Sequence, residues 1–243
     1  MRAVSALFWI IVWTITARVI NSELLLPGPA DVVVRFVELI TKADFLYAVF
    51  ITVTRILLGF FTALILAVIL AILSNTIKPI KTIILPFMTA LKSVPVASFV
   101  ILAILWFNTE FLSSFIAFVM VLPVIYVNMI CGIDSCEKEM LEMAKVFRVS
   151  PLKKAIYIYM PYVIPFFKSG CSVALGLCWK AGIAAELIGV PDNTIGERLY
   201  FSKIYFEMTD LFACTLTIIL ISLIFEKLFT YVLSKLIELY ERI

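Results

Sequence analysis

Residues 48–73 read AVFITVTRILLGFFTALILAVILAIL, a run of 26 residues in which Arg55 is the one charged side chain. About 20 apolar residues are enough for a helix to cross the roughly 30 Å of hydrocarbon in a bilayer. Similar apolar stretches recur at 4–20, 83–107, 111–131, 161–190 and 209–233. This pattern predicts an all-α integral membrane protein with six transmembrane helices, which form a single membrane domain over residues 1–243.

The composition of the chain excludes several classes of protein. Of its residues, 63% are hydrophobic and 15% are charged, whereas soluble domains run at about 45–50% and about 25%. The chain has no histidine, which excludes Ser-His triads, histidine-ligated zinc and imidazole acid–base catalysis. A dispersed net charge of +3 gives no basic stripe for nucleic acid. The five cysteines are odd in number and lie in apolar surroundings, which favours buried thiols over a disulfide framework.

Lysines and arginines outside the apolar stretches indicate the orientation, because short cytoplasmic loops carry an excess of them. With the N-terminus inside, ten of these residues are cytoplasmic: Arg2, Lys78, Lys81, Lys138, Lys145, Arg148, Lys153, Lys154, Lys235 and Arg242. Four are outside: Arg35, Lys42, Arg198 and Lys203. Both termini are therefore predicted to face the cytoplasm.

Two segments between the apolar stretches have the periodicity of amphipathic helices. Residues 28–46 predict a helix on the outer face, with an apolar side made by Val33, Phe36, Val37 and Ile40. Residues 132–160 form the one long cytoplasmic loop, in which an apolar side is made by Met140, Leu141, Ala144 and Phe147. The outer loop at 190–208 either receives a partner protein or caps the helix bundle.

The cytoplasmic loop carries a recognisable motif. It reads Glu142-Met143-Ala144, three residues, Arg148, nine residues, then Ile158-Tyr159-Met160-Pro161. This resembles the Glu-Ala-Ala, Gly and Ile-x-Leu-Pro signature of the permease subunits of bacterial ATP-binding-cassette importers, with every spacing kept. Met143, Met160 and Arg148 depart from that signature, which has Ala, Leu and Gly at their positions.

The resemblance covers nearly the whole chain and is closest to the aliphatic sulfonate, taurine and nitrate branch of these permeases. The shorter stretches that carry it are 27–29, 54–60, 92–95, 104–107, 122–132 and 176–186. Asn108 is a departure, because the branch commonly has Gly at that position. The resemblance implies the type I permease fold of these importers, with a cytoplasmic coupling helix.

What the resemblance implies about partners is an assembly in the bacterial inner membrane. The chain would pair with a second copy of itself, with two cytoplasmic ATPases and with an extracytoplasmic substrate-binding protein. ATP and Mg would be bound by the ATPases, and no cofactor by this chain; its glycines indeed form no phosphate-binding loop. The residues that would contact the ATPase are Glu142, Ala144, Phe147, Arg148, Ser150 and Pro151.

Two features of this loop have alternatives. The helix over about 137–148 could instead lie on the membrane surface, but the acidic residues Asp134, Glu137, Glu139 and Glu142 would be repelled by anionic lipid. Docking to a partner is therefore the favoured interpretation. Arg148 has no easy access to positive φ, so either the turn there is right-handed or the helix runs one residue further before Ser150-Pro151 breaks it. We expect the longer helix.

Charged and helix-breaking residues inside the apolar stretches are candidates for the substrate pathway. Glu186 is placed deep in the fifth stretch, where a carboxylate faces a bundle interior or a water-filled path; it is either a gate residue at the subunit interface or a buried glutamate satisfied by nearby polar side chains. Lys180 would favour an anionic substrate, whereas Lys92 and Lys168 are expected to snorkel to the interface. Ser93 and Pro95 form either a gate or a plain proline kink. Arg55 is expected to be structural, at the outer interface.

The predicted function is that of a non-enzymatic importer subunit, working by alternating access and powered by partner ATPases. The resemblance implies a small solute, anionic or heteroaromatic, of the sulfonate, taurine, nitrate or vitamin-precursor type. The alternative is a stand-alone secondary transporter or channel, which predicts internal repeats with paired broken helices. No convincing similarity between the two halves of the chain supports that alternative.

Overall fold

The computed structural model describes residues 2–22 and 24–241. Within these ranges the regular structure is entirely helical. The α-helices are α1 (Arg2–Ile20), α2 (Pro29–Ile40), α3 (Ala43–Thr76), α4 (Lys78–Leu91), α5 (Val96–Ile104), α6 (Thr109–Asp134), α7 (Lys138–Val146), α8 (Pro151–Lys154), α9 (Met160–Gly189), α10 (Ile195–Ile204) and α11 (Met208–Glu241). A π-helical turn, Ala155–Tyr159, joins α8 to α9.

Four helical segments are long and apolar enough to cross a membrane. They are α3 (Ala43–Thr76), α6 (Thr109–Asp134), the continuous segment Pro151–Gly189 made by α8, the π-helical turn and α9, and Met208–Tyr240 of α11. A fifth candidate is the pair α4 and α5, which together are long enough but bend by 101° at their junction. The apolar part of α1, Leu7–Ile20, is shorter than a typical span. The described residues therefore give four or five candidate spans, where the hydropathy pattern predicts six.

The predicted span over 83–107 is fully broken at the junction of α4 and α5, at the Ser93–Pro95 segment that the sequence predicts as either a gate or a plain proline kink. α4 ends at Leu91 and α5 begins at Val96, with Pro95 in extended conformation as its N-cap (φ −62°, ψ 125°). Proline has no N–H to donate and disfavours the helical conformation in the residue before it. The bend of 101° also rules out a plain proline kink.

The core of the bundle is α6, which packs against α3 on one side and α9 on the other. Its side chains are buried along most of its length, among them Ile116, Ile125 and Tyr126, as expected of a helix that is apolar all round. A hydrogen bond of 2.8 Å joins the buried Tyr126 hydroxyl to Ser74 Oγ of α3. α11 packs on α9, α10 and α2 and leaves much of its apolar surface exposed.

The amphipathic helix α2 is shorter than predicted, and its packed face, with Phe36 beside Leu39, overlaps the predicted face only in part. It ends at Ile40, because Thr41 and Lys42 turn the chain into α3. Val32 and Leu39 are buried, whereas the predicted Val33 and Val37 are exposed.

A bidentate salt bridge between Arg35 and Asp210 holds α2 to the start of α11. Arg35 Nε donates to Asp210 Oδ1 at 2.5 Å and Arg35 Nη2 donates to Asp210 Oδ2 at 2.8 Å. Its hydrogen bonds to Asp210 and Glu38 raise the pKa of Arg35 above its usual value. Arg35 therefore stays charged across the physiological pH range.

Candidate functional site

The helix α7, in the loop that the sequence predicts to be cytoplasmic, divides its apolar residues between two faces. Ala144 is buried and packs with Cys136 and Ile158, while Leu141 packs against the same cluster. On the other side Phe147 is 75% exposed. We call the exposed apolar residues of this helix end the docking patch: Met140, Met143, Val146 and Phe147. The four apolar residues predicted to share one face are thus separated, with Leu141 and Ala144 turned inward.

Burial also affects the chemistry of Cys136, which lies between α6 and α7. It raises the pKa of the Cys136 thiol above its usual value. The group is therefore neutral at physiological pH and is a poor nucleophile. This agrees with a packing role for the cysteine.

Arg148 ends α7 in the left-handed conformation, with a φ of 50°, so the prediction that the helix continues through it is wrong. Val149 N donates to Ala144 O at 2.9 Å and Arg148 N donates to Lys145 O at 3.2 Å. These are the two hydrogen bonds of a Schellman motif. They satisfy carbonyls that would otherwise lack partners, and Val149 packs on the Ala144 cluster. Together these contacts offset the cost of about 1–2 kcal/mol for a non-glycine residue in this conformation.

The remaining residues predicted to contact an ATPase lie around one cleft beside the docking patch. Glu142, Arg148, Ser150 and Pro151 line it together with Leu141, Ala144, Lys145 and Lys154. Ser150 Oγ accepts a hydrogen bond from Lys153 N at 3.5 Å and caps α8, in which Pro151 is the first residue. The structure thus brings five of the six predicted residues to one cleft, and Phe147 lies on the adjoining patch.

Glu186 lies in the last turn of α9, three residues before the helix ends at Gly189, and not deep in the span as predicted. Its side chain is fully buried. Thr52 Oγ1 of α3 donates to Glu186 Oε2 at 2.8 Å, and Gly196 N of α10 donates to the same oxygen at 3.3 Å. Ile195 N in turn donates to Thr52 Oγ1 at 3.0 Å. The carboxylate therefore lies at the N-terminus of α10 and accepts a hydrogen bond from it. Backbone N–H groups at a helix N-terminus favour negative charge.

Close packing at Gly196 explains how α10 reaches this carboxylate. A Cβ at Gly196 would overlap the Cβ and the backbone of Glu186. Gly182 lies one helical turn before Glu186 on the same face of α9 and packs against Ile56 of α3 within the same chain. The small residues around Glu186 thus serve contacts inside this chain.

Lys180 lies on a different side of α9, where its side chain is exposed. It lines a groove between α9 and α11 whose walls include Trp179, Ile183 and Ile218. Glu226 of α11 lines the same groove and accepts a hydrogen bond from Ser172 Oγ at 3.3 Å. Sequence reasoning missed Glu226, although a carboxylate inside the apolar stretch 209–233 is the same kind of signal that drew attention to Glu186.

Ser93 and Pro95 are exposed at the break between α4 and α5, next to the exposed Lys92. Neither residue lines the α9–α11 groove, and the hydrogen bonds of Glu186 come from Thr52 and Gly196 instead. The described residues also hold no cluster of three or more His, Cys, Asp or Glu side chains that could bind a metal ion.

This fold defines a class of protein: helical, multi-pass membrane proteins with buried polar groups and a short amphipathic helix between two apolar spans. Within that class, residues 59–238 match the family described as the binding-protein-dependent transport system inner membrane component. The chain belongs to this family. It is therefore a permease component of an ATP-binding-cassette transporter, and membership implies partner ATPases and a substrate-binding protein.

Curated relatives are similar to this chain over most of its length. A probable ABC transporter permease protein of Brucella abortus is 25% identical over 230 residues, which are 91% of this chain and 89% of the relative. The putative aliphatic sulfonates transport permease protein SsuC of Bacillus subtilis is 26% identical over 84% of this chain and 74% of its own length. The formylaminopyrimidine transport permease protein ThiX of Halalkalibacterium halodurans is 24% identical over 81% and 77%.

Proposed function

We propose that the chain is the channel-forming subunit of an importer, in which two copies line a path and two ATPases drive alternating access. The observation that carries this proposal is the placement of α7. Its inner face is fixed to the base of α9 through Ala144 and Ile158, while Phe147 projects from the outer face. A partner that binds the docking patch can therefore pull on a helix that spans the membrane.

The proposed topology has six membrane crossings with both termini in the cytoplasm. The four long apolar helices supply four crossings, the bent pair α4 and α5 a fifth, and α1 a sixth. The ten-to-four bias of basic residues supports this orientation. One of the ten, Arg242, lies outside the described residues.

Of the proposed pathway residues, Lys180, Ser93 and Pro95 are exposed on the single chain. Charged side chains within a span avoid lipid and face protein or water. We therefore place Lys180 on the path, with the broken helix at Ser93 and Pro95 contributing irregular backbone to it. Glu186 is fully buried, so its proposed role is to hold the helices that frame the outer end of the path.

The proposed solute is small and either anionic or heteroaromatic. Lys180 in the α9–α11 groove supports an anionic group, and relatives are named for aliphatic sulfonates, taurine and formylaminopyrimidine. ATP and Mg are assigned to the partner ATPases.

Two measurements together test the proposed function: co-purification of the subunit with an ATPase, and solute-stimulated ATP hydrolysis and uptake. We expect an untagged ATPase to elute with the tagged subunit, and Phe147→Ser to abolish solute-stimulated ATP hydrolysis while the subunit still inserts. Glu142→Gln is expected to weaken solute-stimulated ATP hydrolysis as well, because it removes a negative charge from the cleft beside the docking patch. Leu58→Ser, at an exposed apolar residue of α3 far from α7 in the chain, is the control. Elution without an ATPase, together with uptake that follows an ion gradient, would indicate a secondary transporter instead.

A further inference from the structure

A cluster of unpaired polar groups lies where α3, α6 and α9 meet. Among the described residues, four buried side-chain nitrogen or oxygen atoms have no hydrogen-bond partner. Three of them are Arg55 Nη1, Ser113 Oγ and Glu186 Oε1. Thr52 and Arg55 are three residues apart on α3 and so share a face, and Thr52 is hydrogen-bonded to Glu186. Arg55 therefore faces the carboxylate region as well.

The three groups lie close enough to interact. Ser113 is within hydrogen-bonding reach of the Glu186 carboxylate, and Arg55 acts on its charge. Even so, Arg55 Nη1, Ser113 Oγ and Glu186 Oε1 have no well-formed hydrogen bond in the described residues. A buried polar group without a partner is costly, and a buried charge without a counter-charge is more so. One water molecule, which makes about three hydrogen bonds when buried, suits a site with two donors and one acceptor oxygen.

We propose that Arg55 is the counter-charge of Glu186, joined to it and to Ser113 by a buried water, and that this cluster clamps the N-terminus of α10. Glu186 Oε2 already holds that terminus through Gly196 N and through Thr52. With Oε1 tied to Arg55, the outer ends of α3, α6, α9 and α10 form one rigid body. This inference goes beyond the proposed transport function and does not depend on it.

The test is a double-mutant cycle on the purified subunit in detergent, read as thermal unfolding. Arg55→Met leaves the Glu186 charge unpaired and is expected to lower Tm by about 5–10 °C. Glu186→Gln keeps an acceptor oxygen for Thr52 and Gly196 and is expected to lower Tm by less than half as much. The double variant is expected to melt close to Glu186→Gln, because the unpaired charge is gone. Arg18→Met, at an exposed arginine of α1, is the matched control and is expected to leave Tm unchanged.

Strictly additive effects of the two substitutions, or a neutral Arg55→Met, would overturn the proposal. If Arg55→Met does not fold, amide hydrogen exchange at residues 195–197 in Arg55→Lys and Thr52→Val decides the question. Thr52→Val is expected to speed exchange there at least about tenfold, while Arg55→Lys keeps wild-type protection because it keeps the charge. Fast exchange in Arg55→Lys and slow exchange in Thr52→Val would contradict the clamp. These measurements need neither the ATPase nor a solute, so a failure of the transport proposal would be seen separately.

Discussion

At the scale of single residues, Arg148 stands at a position whose backbone conformation favours glycine. It occupies the left-handed region at φ 50°, where glycine pays no steric cost. The Schellman hydrogen bonds at this turn come from the backbone alone. The arginine is therefore tolerated by the turn and is not required by it.

We predict that Arg148→Gly stabilises the subunit by about 1 kcal/mol, because the strain of the left-handed conformation is relieved. Thermal unfolding in detergent measures the change. Arg148→Ala separates the backbone effect from the charge, because alanine keeps the strain and removes only the guanidinium. An equal gain in both variants would assign the effect to charge instead.

Burial raises the pKa of Cys136, and this predicts a slow reaction with thiol reagents. We expect alkylation at pH 7.5 to be much slower at Cys136 than at the exposed Cys131, and to rise with pH as the thiolate forms. Mass spectrometry after timed labelling measures both rates. Equal rates at the two cysteines would show that Cys136 is accessible and ionised.

At the scale of the element, α7 has one face that packs on the chain itself and one exposed apolar face, which we propose binds a partner. Ala144→Leu overfills the contact with Ile158 and is expected to destabilise the subunit by about 1–3 kcal/mol. Val146 lies on the other face of the same helix and is 78% exposed. Val146→Ser is expected to leave the free energy of unfolding unchanged and to weaken association with the ATPase. The readouts are thermal unfolding and co-purification. The division of faces is wrong if the two variants have the same effect in both assays.

The element α2 depends on its ion pair with α11. Arg35→Ala removes both hydrogen bonds to Asp210, and we expect a loss of about 1 kcal/mol, because the pair is partly exposed to solvent. Asp210→Asn should cost a similar amount, and the double variant little more than either alone. Unfolding at low salt measures the loss, with Lys235→Ala as a control for the exposed pair to Glu238.

At the scale of the whole molecule, one side of α9 is unsuited to lipid. Ser169, Ser172, Gly176 and Lys180 are exposed on it, and a Cβ at Gly176 meets no atom of the chain within 4 Å. Small residues allow helices to approach closely in a membrane, and charged residues there face protein or water. This face therefore suits the proposed contact with a second copy, next to the path.

We predict that Gly176→Leu disrupts the dimer without unfolding the subunit, because the new side chain has open space in one chain and blocks close approach of another. Native mass spectrometry and thermal unfolding measure the two effects. Gly59→Ala is a control with the opposite expected effect. Its new Cβ would overlap the backbone of α6, so this variant is expected to unfold as a single chain. A stable dimer of the Gly176→Leu variant would exclude this face as the contact.

The sequence by itself determined the membrane class, the helical content and the cytoplasmic motif, because apolar length, 3.6-residue periodicity and spacing are properties of the linear chain. It also identified Glu142, Arg148, Ser150 and Pro151, which the structure brings to one cleft. Only the tertiary structure decided the left-handed Arg148, the full break before Pro95 and the inward position of Ala144. Glu186 shows the physical reason most clearly. Its partner Thr52 is 134 residues away in the chain, and no local pattern shows which distant donors will meet a buried carboxylate.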